Sequence, residues 1–313
     1  MNNIKKEFYS MDMRDHFFER LLQIMKMDSK IIIISNDYGA PKLDSIKEKF
    51  PSRFINAGIT EQNIVSLAAG LASSGFKPII YSISTFISLR SFEQIKLDIS
   101  VMKLPVVILS VGAGYAYSAD GPTHHAIDDI ALINSLINCK IYSPSNNFFL
   151  DFFSSKTFNF KGLTYYRLDR GKNLKTKKFA TFASKSFNYY SYGKKYCFIS
   201  TGIMTQQLID YLIKKNFNVD FSIIDINEIK PISKKIISII KKFKKIKVVE
   251  EHIKEGGLGN IILSLANEYN INIKIKLFTL KKNIAYNYGD RKLLWKNHKI
   301  DINNLLKWIK KKY

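Results

Sequence analysis

The chain has 313 residues, room for two domains of roughly 100–200 residues each. Hydrophobic residues make up 46% and aromatics 13%, which supplies a core for each domain and excludes a disordered chain. The formal net charge of +23 admits nucleic acid, an anionic membrane, an acidic partner or a phosphorylated substrate. Its lysines, however, crowd onto helix faces such as Lys241-Lys242-Phe243-Lys244-Lys245. That is a solvated surface, not the basic face with interleaved aromatics that a nucleic-acid binder needs. Cys139 and Cys197 sit in separate apolar runs without metal-ligand spacing and read as buried thiols in a reducing compartment. The first twenty residues lack the apolar core of a signal peptide, and no run reaches the ~18–20 apolar residues of a membrane span. A soluble, cytoplasmic protein is expected, with no nucleic-acid or membrane partner.

In chain order, residues 8–27 have helical spacing, with Phe17, Leu21, Leu22 and Ile24 recurring. Lys30 to Ser35 is a β-branched strand, followed by the turn Ser35-Asn-Asp-Tyr-Gly39. A short strand at 53–56 precedes a helix over 60–74, with Ile64, Leu67, Ala68 and Leu71 on one face and Gly75 as its stop. A strand at 77–82, a helix over 86–103 and a strand at 105–111 follow, then the loop Gly112-Ala-Gly114. Helices at 126–137 and near 146–154 alternate with strands at 140–142 and 163–167. Residues 173–192 show no helical period and read as a linker. A second alternating unit then runs through strands at 197–200, 220–225, 247–250 and 273–276, with helices at 204–215, 232–243, 259–269 and 301–312. Strands alternating with helices predict an α/β protein of two domains, each a mostly parallel sheet with helices on both faces. The expected division is 1–172, the linker 173–192, and 193–313.

Four constellations can carry chemistry. In Asn56-Ala-Gly-Ile-Thr-Glu-Gln-Asn63 a glycine turn leads into a helix whose first turn presents Glu61, where the helix dipole alone already favours a carboxylate. Thr85-Phe-Ile-Ser-Leu-Arg-Ser-Phe92 sets two aromatic residues six apart, as either core packing or the walls of a slot for a flat ring. Ser118-Ala-Asp-Gly-Pro-Thr-His-His125 makes a tight turn and places two adjacent histidines, of which only one can face a given pocket. Arg167-Leu-Asp-Arg170 ends a strand with two arginines, suited to a phosphate dianion or to ion pairs with Asp169.

The order and spacing of these motifs closely resemble the pyrimidine-binding domain of transketolases, over Asn56–Gly75, Ser84–Gln94 and Asp120–Asp129. After the linker, Ser200-Thr-Gly-Ile-Met204, Ile229-Lys-Pro231 and Val249-Glu-Glu-His252 with Gly256-Gly-Leu-Gly259 resemble the family's C-terminal domain. The resemblance covers roughly residues 10–310 and is strongest to split, two-chain transketolases. It implies a thiamine-diphosphate-binding fold and a transferase that moves a two-carbon ketol unit from a ketose to an aldose. The sequence contains no Gly-Asp-Gly, the family's handle for the diphosphate and its Mg²⁺; Gly289-Asp290-Arg291 comes nearest. The resemblance therefore implies a separate N-terminal subunit that holds the diphosphate and Mg²⁺, in an α2β2 assembly or with a homodimer of this chain. No metal ligand is expected here.

Carried over by position, Glu61 hydrogen-bonds the aminopyrimidine ring, Phe86 and Phe92 flank it with Arg90 between them, and Asp37 borders the cofactor. Asp120 and His124 face the donor sugar and take a catalytic part with Glu61, with His125 beside them. Arg167 and Arg170 meet the acceptor's phosphate. One departure is the stretch Ser110-Val-Gly-Ala-Gly114, which lacks a histidine that full-length transketolases carry there. It leaves open an unphosphorylated or nucleotide-linked sugar. The alternatives are a deoxyxylulose-phosphate synthase-like subunit, a 2-oxo acid dehydrogenase β-type subunit, and a non-catalytic regulatory subunit. Gly-Pro-Thr-His-His opposes the second and the presence of Glu61 the third.

Overall fold

In the computed structural model, residues 9–281 and 289–310 are described. The first half contributes strands β1 (Tyr9–Asp12), β2 (Ile31–Ser35), β3 (Phe54–Asn56), β4 (Lys77–Ile83), β5 (Val106–Val111), β6 (Cys139–Tyr142), β7 (Leu163–Leu168) and β8 (Lys172–Leu174). The second contributes β9 (Phe182–Ala183), β10 (Phe187–Tyr190), β11 (Tyr196–Ser200), β12 (Phe221–Ile226), β13 (Glu228–Lys230), β14 (Lys245–Ile253) and β15 (Lys274–Leu280). They form a seven-stranded sheet in the order β13-β6-β7-β5-β4-β2-β3 and a six-stranded sheet in the order β15-β14-β11-β12-β10-β9. All pairings in the larger sheet are parallel except β13 with β6. The two-domain, mostly parallel α/β architecture is the one the alternating pattern predicts.

Consecutive isoleucines in β2 show why this sheet is covered on both faces. Ile31 and Ile33 enter one core with Phe17, Phe18 and Leu21 of the helix Met13–Met27, while Ile32 and Ile34 enter another with Ile64 and Val65 of the helix Glu61–Ser73. The second of these cores continues into the other unit through Ile199, Ile224 and Ile246, so the two sheets share one apolar layer. Cys139 and Cys197 are buried free thiols.

Several expected elements are shorter or interrupted. Residues 9–12 pair antiparallel with β8, and the first helix starts only at Met13, with Asp12 accepting the Arg14 N–H at 2.8 Å. Residue 8, and residues 311–312 of the last expected helix, lie outside the described residues. The helix expected over 86–103 breaks at Ser91. There the Ser91 hydroxyl donates to the Ile87 carbonyl at 2.5 Å, Ser88 does the same to Ser84 at 2.7 Å, and the chain continues as a wider π-turn over Ile95–Val101. The helix expected over 126–137 forms only over Asp129–Asn134. The stretch 173–192 is not structureless: β10 lies within it and pairs antiparallel with β12, inside the second sheet. The helices Pro41–Lys49 and Arg291–His298 and the strand β13 are further elements without a strong period in the sequence.

Candidate active site

The carboxyl ends of β2 and β3 build the first wall. Asp37 takes a left-handed backbone (φ 52°), which Asp tolerates, and its N–H donates to Asn56 Oδ1 at 3.0 Å. Asn56 Nδ2 returns a bond to Asp37 Oδ1 at 3.0 Å, so the two loops lock each other. Gly58, at φ 69°, turns the chain back, and its N–H and carbonyl are held by Asn56 and Asn36. This turn delivers Glu61 as the first residue of its helix, with its side chain buried. Arg90, at the end of the helix Ser84–Arg90, donates to Glu61 Oε1 at 2.9 Å. Oε2 has no hydrogen-bond partner among the described residues.

Arg90 also lies over the Phe86 ring at 4.1 Å, and Phe86 meets the His124 imidazole edge-on at 4.9 Å. His124 sits in the turn Pro122–His124, held by Thr123 at 3.0 Å, with its ring 5.8 Å from that of Tyr117. Tyr117 in turn shares a 2.5 Å hydrogen bond with Tyr38, which Arg14 contacts at 3.2 Å. The Arg170 guanidinium stacks on Tyr117 at 4.3 Å and makes no ion pair among the described residues. Glu61, Arg90, Phe86, His124, Tyr117 and Arg170 are thus joined contact by contact, with Tyr38 and Asp37 on the flanking loop. Burial, then the hydrogen bond to Tyr38, push the Tyr117 phenol well above its ordinary range, so it stays protonated. Nothing in the sequence singles out Tyr38, Tyr117 or Arg14; proximity to the Ser118–His125 motif was the only available hint for Tyr117.

The other expected residues lie apart from this chain of contacts. Phe92 is partly buried against the core shared by the two units and makes no ring contact with Phe86 or His124 among the described residues. Asp120 is exposed on its loop. His125 turns away from His124 and packs edge-on against Tyr115 at 4.7 Å; burial lowers its pKa, so it is neutral near pH 7.

Arg167 is buried, with Nε 2.8 Å from Asp129 Oδ2 and 3.0 Å from Oδ1, and Nη2 donating to the Ala126 carbonyl at 2.9 Å. Its Nε and Nη2 are thus engaged within the chain, and its carboxylate is Asp129, not Asp169. Asp169 is taken at 2.7 Å by Arg291, which also clamps Glu251 and the Ala113 carbonyl. These pairs brace the Gly112–His125 loop against the second unit. Within the same junction burial drives His252 down to about 4 and Glu250 up to about 8. Glu250 meets the N–H groups of Leu258 and Gly259 at 2.7 and 2.8 Å. Among the described residues no cluster of three or more His, Cys, Asp or Glu side chains could hold a metal ion.

Glu61, Arg90, Phe86 and His124 thus set a buried carboxylate at a helix start, an arginine and two rings side by side. Residues 9–150 match the transketolase pyrimidine binding domain and residues 187–304 the transketolase C-terminal domain. The chain belongs to the transketolase family. It is 31% identical over 306 residues to 1-deoxy-D-xylulose-5-phosphate synthase of Clostridium perfringens strain 13, covering 96% of this chain and 49% of that protein. The chain thus spans about half the length of such relatives. It is 26% identical over 293 residues to one of the subunits of the apulose-4-phosphate transketolase of Actinobacillus succinogenes, covering 92% of this chain and 94% of that one. Among solved structures, a split-gene transketolase described as an inactive β4 tetramer superposes with a TM-score of 0.81 at 24% identity, over 95% of this chain and 96% of that one. Campylobacter jejuni transketolase superposes at 0.77 with 15% identity, over 96% of this chain and 46% of that one. No helix among the described residues is long and apolar enough to cross a membrane.

Proposed function

We propose that this chain is the β-type subunit of a two-chain transketolase, transferring a two-carbon ketol unit from a ketose to an aldose together with a partner chain that holds the diphosphate and Mg²⁺ of the cofactor. The observation that carries this reading is the buried Glu61 carboxylate, one oxygen held by Arg90 and the other without a partner among the described residues, beside the Phe86–His124 edge contact. Those residues fit the pyrimidine end of thiamine diphosphate: an acceptor or shared proton for a ring nitrogen, and an apolar flank for the ring. When bound, the cofactor supplies the carbon nucleophile that cleaves the donor and carries its fragment.

The chain's own residues then have distinct tasks. Glu61 holds a proton at the ring nitrogen, and Arg90 orients the carboxylate. His124, wedged between Phe86 and Tyr117, presents its imidazole to the donor's oxygens, with Asp120 on the loop above it. Of the two arginines assigned to an acceptor phosphate, Arg170 has its guanidinium open, whereas Arg167 serves by bracing the loop through Asp129. The near-full-length similarity to a single subunit of the apulose-4-phosphate transketolase supports the need for a partner. A deoxyxylulose-phosphate synthase-like reaction is the second reading, favoured by the identity of 31% to about half of that enzyme.

Calorimetry of thiamine diphosphate with Mg²⁺ tests the proposal, first on this chain alone and then with a co-expressed diphosphate-binding partner. The expected result is binding only by the pair, and ketose cleavage lost by at least about a hundredfold in Glu61→Ala, as for removal of a proton-transferring group. Turnover of pyruvate in place of a ketose would favour the second reading. Full binding and turnover in Glu61→Ala would overturn both.

A further inference from the structure

A second cavity, of about 450 Å³, shares no lining residue with the Glu61 site. Its floor is the β6–β7 pair of the larger sheet, where Lys140 lies opposite Thr164 and Tyr142 opposite Tyr166. Strand alternation puts these four side chains on one face. The rings of Tyr142 and Tyr166 stack on each other 5.0 Å apart at 19°, giving the cavity an aromatic wall, and the buried Phe149 also lines it. Phe152, 46% exposed, stands in the lining with its ring facing no buried core. Lys185 and Asn227 enter from the second unit, so the cavity opens at the seam between the two halves.

The electrostatics are one-sided. Lys140, Lys156 and Lys185 all line the cavity, and none makes an ion pair among the described residues. Lys140 Nζ rests 4.4 Å over the Phe160 ring. Glu228 lies alongside but outside the lining, its carboxylate accepting from the Tyr142 hydroxyl at 3.1 Å and the Ser186 hydroxyl at 2.5 Å. Asn227 is only 2% exposed; its Nδ2 donates to the Lys185 carbonyl at 2.7 Å, while Oδ1 has no hydrogen-bond partner among the described residues. A buried amide oxygen left open is an acceptor awaiting a donor.

These features select the ligand. Lys140, Lys156 and Lys185 give the lining a net positive charge that an anion would balance. A bare phosphate would leave the aromatic wall unused, and an apolar ring alone would leave the lysines unmatched. A volume of about 450 Å³ lies in the range of small-molecule sites, roughly 300–1,000 Å³. We propose that this cavity binds a nucleoside phosphate, its base against the aromatic lining of Tyr142, Tyr166 and Phe152 with an exocyclic amino N–H toward Asn227, and its phosphates among the three lysines. The proposal is independent of the reading of the Glu61 site.

Calorimetry on the full chain with ADP, adenosine and inorganic phosphate decides it. One saturable ADP site is expected, at least about tenfold tighter than either fragment, a difference of about 1.4 kcal/mol. Lys140→Gln/Lys185→Gln should weaken ADP by a further factor of about ten, and Phe152→Ala, at an exposed position, by about fivefold. Glu61→Ala should leave ADP binding unchanged, which separates this cavity from the cofactor site. Absence of saturable ADP binding overturns the proposal. So does phosphate binding as tightly as ADP, or loss of ADP binding in Glu61→Ala. If the double variant fails to fold, Phe152→Ala decides alone, and native ADP affinity there overturns it as well.

Discussion

Replacing Arg167 by Met tests whether that arginine braces the fold. Its guanidinium and the Asp129 carboxylate are both buried, 2.8 Å apart, and Asp129 also accepts the Tyr165 hydroxyl at 3.1 Å. Burial acts against the charge on Arg167, but Asp129 outweighs it and holds its pKa above the ordinary value. The Met side chain fills most of the volume but leaves Asp129 as an uncompensated buried charge, which costs about 3–5 kcal/mol. At about 2 °C per kcal/mol for a chain of this size, the melting temperature falls by about 6–10 °C. Adding Asp129→Asn removes the orphaned charge and still accepts from Tyr165, so the double variant should recover most of the loss, as neutral replacement of a buried pair does. Scanning calorimetry of the four proteins closes the cycle. A loss below about 1 kcal/mol in Arg167→Met, the size of an exposed pair, would refute the buried-charge argument. So would a double variant no more stable than the single.

Two further outcomes follow from the same physics. Gly114 takes φ +58°, and a Cβ there would overlap the Glu251 carboxylate, which Arg291 and Trp295 hold in place. Gly114→Ala should therefore cost about 2–4 kcal/mol from overpacking and left-handed strain. A denaturant midpoint like that of the native chain would contradict this. Asp225 is fully buried, and burial raises its pKa from 3.8 to about 7 despite the Ser145 hydroxyl at 2.6 Å. A raised folded pKa means the folded chain keeps a proton that the unfolded chain has released. This contribution to stability is complete below about pH 4 and fades as pH rises through about 7. Asp225→Asn should flatten that part of the stability profile, and an unchanged slope from pH 4 to 7 would show that Asp225 does not titrate there.

Much of the fold could be read from local pattern. The four isoleucines of β2 required two buried faces, and the alternation of strands with helices required parallel pairing. The helix over Glu61–Ser73 had both its period and its glycine stop in plain view. What resisted reading was short or non-local. The strand β13 is three residues long and exists because β6 offers an edge to it, and Ser91 breaks a well-patterned helix through a side-chain bond that periodicity does not register.

The same division runs through the site. Glu61, Phe86, Arg90 and His124 lie in short motifs, at helix ends and in a tight turn, which the resemblance to transketolases singles out. The partners of those residues were decided by packing. Arg167 and Arg170 are three residues apart, yet strand geometry sends one inward to Asp129 and leaves the other over Tyr117. His124 and His125 are adjacent, and the turn at Pro122 sends one to Phe86 and the other to Tyr115. Sequence alone determined which chemistries this chain carries, since residue identity sets charge and hydrogen-bonding capacity. Only the tertiary structure determined which charges are already spent on one another, since a buried carboxylate 38 residues away answers for an arginine as readily as a neighbour does.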